Sequence, residues 1–192
     1  MKRVAIVVIA FLAMVGIIFY FGDDQTAGSA NKVERKNGKI LGDENFGYVT
    51  LEGKWAPLSD LKSPTSVTYF NEENGSVIEL ASFADYNKSL SSNSTFGKGI
   101  RTVDDVADFL QGYLKMIGRG ENFKIEDGKF QQYDAKILKG GFKVELDDNK
   151  PYFLSAWAFS DEEGTLRYVL VESRLENAQT DATEVIATYR TK

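Results

Sequence analysis

An uninterrupted apolar run near the N-terminus, from Val4 to Phe21, constrains this chain more than any other feature of its sequence. As a helix the run would span about 27 Å at roughly 1.5 Å per residue, which is close to the ~30 Å hydrocarbon core of a bilayer. A helix packed in a protein core would carry polar residues on one face, and this run carries none. Lys2 and Arg3 precede the run and are expected to stay on the cytoplasmic side of a membrane. The pattern predicts a membrane helix with the rest of the chain outside the cytoplasm.

A cleaved signal peptide is the competing interpretation of the same run. Gly28 and Ala30 have the small-residue spacing of a cleavage site, although they lie well beyond the apolar run. The run is also longer than the ~7–15 apolar residues typical of a signal peptide. We therefore predict a single-pass membrane protein with an uncleaved anchor, and a secreted protein if the signal is cleaved.

Composition divides the chain into three parts. Residues 1–22 form the anchor or signal peptide, residues 23–44 are polar and charged and form a linker, and residues 45–192 form one extracytoplasmic domain. The apolar fraction of 43%, with 13 Phe and 9 Tyr, is typical of a globular core and unlike a disordered chain.

Hydrophobic periodicity predicts an α+β fold for the domain. Short apolar or alternating segments predict strands at residues 46–51, 67–70, 77–83, 123–125, 133–137, 142–146, 152–159 and 166–171. Asp127-Gly128 and Gly140-Gly141 predict tight turns within this series. The last two strands are apolar on both faces, so the sheet requires cover on both sides. The expected architecture is an antiparallel sheet meander with one main helix after the third strand and a short C-terminal helix.

The main helix is the most clearly predicted element. Thr102 and Asp105 have the spacing of a capping box at its start. Apolar residues then recur at helical spacing as far as Ile117, and Gly118 is a natural stop signal. Residues 181–189 predict the short C-terminal helix.

The elements of the domain occur in an order that resembles a known family: Phe46-Gly47-Tyr48-Val49 followed by Trp55, the helix at Thr102, the hairpin at Trp157 and Tyr168, and Ile186-x-x-Tyr189. In this order the chain resembles the PsbP-like α/β sandwich family over about residues 45–192, as a bacterial membrane-anchored extracytoplasmic member. The proline that this family often has just before the Trp is missing, and Pro57 follows the Trp instead. The resemblance implies a non-enzymatic domain that docks onto a larger assembly, and it brings no catalytic residues.

Missing residue types exclude several functions. The chain has no Cys and no His, which removes thiolate chemistry, disulfides, the commonest general base and the commonest zinc ligand. The formal net charge of −5 opposes binding to nucleic acid phosphates. We expect no cofactor, no metal and no nucleic acid partner.

Two kinds of catalytic group remain for an enzyme of this composition. A Ser–Lys pair is possible in principle at Ser89, Ser91 and Ser92 near Lys88, but these residues lie in a predicted loop and not on a rigid element.

Acidic residues are the other kind. Glu79, Glu145 and Glu172 lie on or beside predicted strands and could flank a sugar groove in a carboxylate-based hydrolase, which needs two such groups about 5–10 Å apart. A sensor for a small ligand is a further alternative, and it would need a sizeable apolar pocket with a few polar groups. The ordinary interpretation is that these acidic residues lie on solvent-exposed strand faces and in turns, without a catalytic role.

The favoured hypothesis is a non-catalytic binding or accessory domain that docks onto a protein partner at the cell envelope. The apolar area of Trp55 favours a place in the core. If this tryptophan is left exposed, it marks the partner site together with the acidic turns. The predicted partner surface therefore comprises Trp55, Asp147, Asp148, Asp161, Glu162 and Glu163.

Overall fold

The computed structural model describes residues 38–58, 65–84, 99–119, 123–144 and 150–192. Nine strands and two helices follow one another in this part of the chain. They are β1 (Lys39–Asp43), β2 (Gly47–Leu51), β3 (Trp55–Pro57), β4 (Ser66–Asn71), β5 (Val77–Ser82), α1 (Val103–Met116), β6 (Lys124–Phe130), β7 (Tyr133–Val144), β8 (Lys150–Ser160), β9 (Leu166–Arg174) and α2 (Ala178–Thr188).

A seven-stranded antiparallel sheet is the centre of the fold, with the strand order β3-β4-β5-β9-β8-β7-β6. The strands β1 and β2 form a separate hairpin. Because β8 and β9 occupy central positions, both of their faces must be buried. The predicted α+β class with an antiparallel sheet is confirmed.

The hairpin face of the sheet is the face covered by the β1–β2 hairpin and α2. Its core is rich in large aromatic side chains. Phe130 and Phe159 stack with ring centroids 4.7 Å apart, and Tyr189 meets both rings edge-on. Trp157, which is 3% exposed, belongs to the same core. Such pairs add stabilisation beyond the buried area alone.

The helix face of the sheet is the opposite face, covered by α1. Thr102 caps the helix, since its side chain accepts from the Asp105 backbone N–H while the Asp105 carboxylate accepts from the Thr102 backbone N–H. Leu110 and Leu114 are fully buried against small residues of β8, which include Ala156. The two helices therefore lie on opposite sides of the sheet, as the two-sided apolar strands require.

Several details differ from the sequence prediction. The strand β1 lies within residues 23–44, predicted as linker, and its Leu41 is only 2% exposed. The main helix follows the fifth strand of the structure and not the third, as predicted. The difference of two arises because β1 and the three-residue strand β3 were not predicted. Strand β6 runs through Asp127-Gly128 without turning, and β7 runs through Gly140-Gly141. A Cβ at Gly128 would clash with the Ile137 side chain, so this glycine serves close packing rather than a turn.

The predicted membrane localisation requires a correction. Residues 1–22, on which it rested, lie outside the described residues. Within the described ranges, neither helix is long and apolar enough to cross a bilayer. The longer one, α1, has 14 residues and spans about 21 Å. The structure does not support the single-pass localisation, and no membrane role enters the function proposed below.

Candidate functional site

Trp55, predicted as part of a partner surface, is a core residue. Its side chain is 5% exposed and packs in the core of the hairpin face. The indole N–H donates a hydrogen bond to the Glu52 carbonyl at 2.8 Å. Because both the ring and its polar atom are used inside the fold, Trp55 cannot present a contact surface as placed.

The acidic turn between β8 and β9 is partly structural. Asp161 is buried and accepts from Arg167 Nε at 2.6 Å and from the backbone N–H of Thr165 at 2.9 Å. Glu162 and Glu163 are exposed on the same turn and remain predicted contact residues. The other two members of the predicted surface, Asp147 and Asp148, lie outside the described residues.

A polar cavity of about 350 Å³ adjoins this turn. It is lined by Glu44, Tyr48, Glu163, Arg167, Thr191 and Lys192. Four of these six residues carry a charge, and Lys192 pairs with Glu163. A small-ligand sensor was expected to offer an apolar pocket, and this cavity does not match that description.

Two buried carboxyl groups lie beside each other on the helix face. Glu79 of β5 is 5% exposed and Glu172 of β9 is 3% exposed. Glu79 is opposite Leu170, so the two glutamates are diagonal neighbours on adjacent strands, about 7–8 Å apart at their backbones. The Tyr168 hydroxyl donates to Glu79 Oε1 at 2.6 Å.

The environment opposes ionisation of both glutamates. Burial raises the pKa of Glu79, and the nearby charge of Glu172 raises it further, against the lowering effect of hydrogen bonds from Tyr168 and Ser66. Burial also raises the pKa of Glu172, although Arg119 acts in the opposite direction. Groups with pKa values displaced in this way are candidates for functional roles.

Arg119 is positioned by the end of α1. Gly118, with φ +72°, forms a Schellman motif in which the Arg119 backbone N–H donates to the Leu114 carbonyl at 2.9 Å. This turn directs the arginine back towards the sheet. Its Nε donates to Glu172 Oε1 at 2.9 Å, and the two side chains are 16% and 4% exposed. The result is an almost buried ion pair.

The same guanidinium reaches the surface of the protein. Its carbon lies 4.9 Å from the centre of the Phe142 ring, and Phe142 stacks on its cross-strand partner Tyr152 at 5.7 Å. Met116, which is 48% exposed, is the last residue of α1 and precedes Arg119 by three positions. The aromatic–arginine surface is the set Met116, Arg119, Phe142 and Tyr152.

A hydrolase mechanism finds little support in this arrangement. The structure does bring Glu79 and Glu172 together, as the hydrolase alternative required, while Glu145 lies outside the described residues. Both carboxyl groups are closed off from solvent and hold hydrogen bonds within the protein. A glycosidase needs its two carboxyl groups open to a sugar.

Sequence reasoning missed the aromatic–arginine surface. Arg119 and Glu172 are 53 positions apart, and only the tertiary fold brings them together. One signal was present: Glu79 and Glu172 are single acidic residues inside otherwise apolar strand segments. A lone carboxylate in a central strand requires a partner from elsewhere in the fold.

Comparisons with known proteins show a likeness of fold. No protein-family model matches the chain, and no curated protein sequence matches it. A crystal structure from Bacteroides thetaiotaomicron superimposes with a TM-score of 0.50 and 13% identity, covering 82% of this chain and 49% of that one. This chain thus spans about half the length of the Bacteroides protein.

Two further solved structures are similar. The Ran-binding protein Mog1p of Saccharomyces cerevisiae has a TM-score of 0.48 and 11% identity, over 81% of this chain and 95% of Mog1p. The cyanobacterial PsbP of Synechocystis has a TM-score of 0.46 and 14% identity, over 85% of this chain and 97% of that protein. The PsbP-like resemblance stated from the sequence is confirmed as a likeness of fold. At these identities no functional conclusion follows from either protein.

Proposed function

We propose that this chain is a non-catalytic protein-binding domain that docks through the aromatic–arginine surface. The observation that carries the proposal is the placement of Arg119, held between buried Glu172 on one side and the half-buried Phe142–Tyr152 stack on the other. Tyrosine and arginine are enriched among the residues that dominate protein–protein binding energy.

Preorganisation strengthens this interpretation. The Schellman motif and the ion pair fix the backbone and the guanidinium of Arg119 before any partner arrives. The stacked Phe142 and Tyr152 rings restrict each other in the same way. A partner would therefore immobilise few side chains on binding, which lowers the entropic cost of the complex.

The surface also defines the chemistry of its partner. Met116 offers exposed aliphatic contact area at the end of α1, three residues before Arg119. Arg119 adds a donor group that is partly exposed. The fitting partner is a protein surface that places apolar side chains on the rings and a hydrogen-bond acceptor near the guanidinium.

Site-specific photo-crosslinking in the native cells tests this proposal. In one variant of the full-length chain, a photo-reactive phenylalanine would replace Met116. In a matched control, the same residue would replace Glu162, in the turn before β9. We expect a discrete protein adduct at position 116, absent at position 162, and lost when Phe142→Ala is added to a chain that still folds. Adducts at position 162 alone, identical adducts at both positions, or no adduct at position 116 would contradict the proposal.

A further inference from the structure

In the part of the chain that the structure describes, the buried polar cluster on the helix face brings together the carboxyl groups of Glu79 and Glu172 and the guanidinium of Arg119. Glu172 is paired with Arg119. Glu79 receives its hydrogen bonds from hydroxyl groups, those of Tyr168 on β9 and Ser66 on β4. None of these hydroxyl groups supplies a positive charge.

Among the described residues, Tyr113 of α1 also faces the cluster, and Arg174 follows Glu172 by two positions on the same face of β9. Burial raises the pKa of Tyr113, and the charges of Glu79 and Glu172 raise it further. Burial likewise raises the pKa of Tyr168. Both phenols therefore stay neutral across the physiological range and cannot offset a second negative charge. Because Arg119 is paired with Glu172 and Glu79 is held by hydroxyl groups, ionisation of both carboxyl groups in this desolvated site carries a large cost.

We propose that the cluster binds one proton at neutral pH, on Glu79, and that loss of this proton weakens docking at the aromatic–arginine surface. The inference about docking rests on the function proposed above, whereas the proton site does not. When Glu79 ionises, its proton passes to solvent and a second buried negative charge appears beside Glu172. Arg119 is then shared between two carboxylates, which draws it away from the Phe142 ring.

The sign of the pH effect on stability follows from burial. A carboxyl group whose pKa is raised by folding contributes stability that is fully present below its ordinary pKa. That contribution is lost as pH rises through the raised pKa of the folded state. Within this window the equilibrium constant of unfolding rises by up to about tenfold per pH unit for one such group.

Urea unfolding of the full-length chain between pH 5 and pH 9 tests the proton site without a partner. We expect wild-type stability to fall with rising pH, and Glu79→Gln, which imitates the protonated side chain, to show a clearly smaller fall. Glu126→Gln, a surface glutamate in a pair with Lys139, should follow the wild-type curve. A Glu79→Gln curve parallel to the wild type would overturn the proton site.

Carbon-13 NMR of the side-chain carboxyl groups in the wild-type chain keeps the test decisive even if the variant does not fold. We expect one glutamate resonance to titrate above neutral pH. Titration of every glutamate below neutral pH would overturn the proposal.

The docking step has its own readout. The yield of the adduct at position 116 should fall as pH rises in the wild type and stay constant in Glu79→Gln. An equal pH dependence in both would overturn the link between proton and docking. If no adduct forms at any pH, the proposed function fails, while the unfolding and NMR results still decide the proton site.

Discussion

The two faces of the sheet are buried in different ways. On the hairpin face, Phe130, Phe159 and Tyr189 form an aromatic core, and the buried Asp161 has Arg167 as a direct counter-ion. On the helix face, α1 packs on small residues such as Ala156. There Glu172 is paired with Arg119, whereas the buried Glu79 accepts from the Tyr168 hydroxyl.

Under the proposed function, this difference separates a structural face from the face that supports docking. The aromatic pairs of the hairpin face stabilise the fold independently of pH. The buried carboxyl groups of this face lie apart from each other: Asp161 is paired with Arg167, and Asp181 accepts from the hydroxyl groups of Ser76 and Ser173. An excess of buried carboxyl groups costs stability when it ionises, so it persists where it has another use. The cluster on the helix face connects to the surface through Arg119, which is the observation that joins it to binding.

Removing core volume from each face should give the largest effects. Phe159→Ala is expected to cost about 3–5 kcal/mol of unfolding free energy and Leu154→Ala about 2–5 kcal/mol, since both side chains are fully buried. Leu154 is opposite Glu172 in the strand register. Its cavity should ease the desolvation of that carboxyl group, and the Phe159 cavity should not. Urea unfolding at several pH values would show a changed pH slope for Leu154→Ala alone. Equal slopes in the two variants would remove the contrast between the faces.

Removing the cation paired with Glu172 should have the next largest effect. Arg119→Met leaves Glu172 buried without its counter-ion and is expected to cost about 3 kcal/mol at pH 8. The cost should shrink towards pH 5, because an unpaired buried carboxyl group takes up a proton more readily. Thermal unfolding at both pH values measures this. A cost that is the same at the two pH values would argue against charge as its cause.

The capping box of α1 contributes a pH dependence of stability opposite in sign to that of Glu79, because the pKa of Asp105 is lowered and not raised. Thr102→Ala should cost about 1 kcal/mol, because it removes the side-chain acceptor of the capping box. Hydrogen bonds from the Arg101 and Thr102 backbone N–H groups lower the pKa of Asp105. Stability from this group is present above its ordinary pKa and is lost as pH falls below it. Circular dichroism during acid titration should show that the wild type loses helical signal as Asp105 becomes protonated, and that Thr102→Ala, whose cap is already impaired, loses less. The same loss of helical signal in both proteins would contradict a capping role for this pair.

The smallest effect on stability belongs to a surface residue. Met116 is 48% exposed, so Met116→Ala should change the unfolding free energy by no more than about 0.5 kcal/mol. Affinity for the partner should nevertheless fall, because the side chain lies in the docking surface. Binding titration beside Glu162→Ala as the control checks this. Equal affinity losses in the two variants would place the contact elsewhere.

Local signals in the sequence predicted the fold better than the site. The capping box at Thr102 and the two-sided apolar pattern around Trp157 and Val169 depend on neighbouring residues, so they were predictable. Leu41 was assigned to a linker because its strand is short and flanked by charge. The Arg119–Glu172 pair joins the end of a helix to a distant strand, and no local pattern encodes that contact.

Hydrogen–deuterium exchange of the full-length chain, alone and with the partner identified by crosslinking, tests the central claim most directly. The account predicts new protection in residues 113–119, 139–143 and 150–153, which carry the aromatic–arginine surface. Protection confined to the acidic turn at residues 161–165, or to the hairpin at residues 39–51, would contradict it.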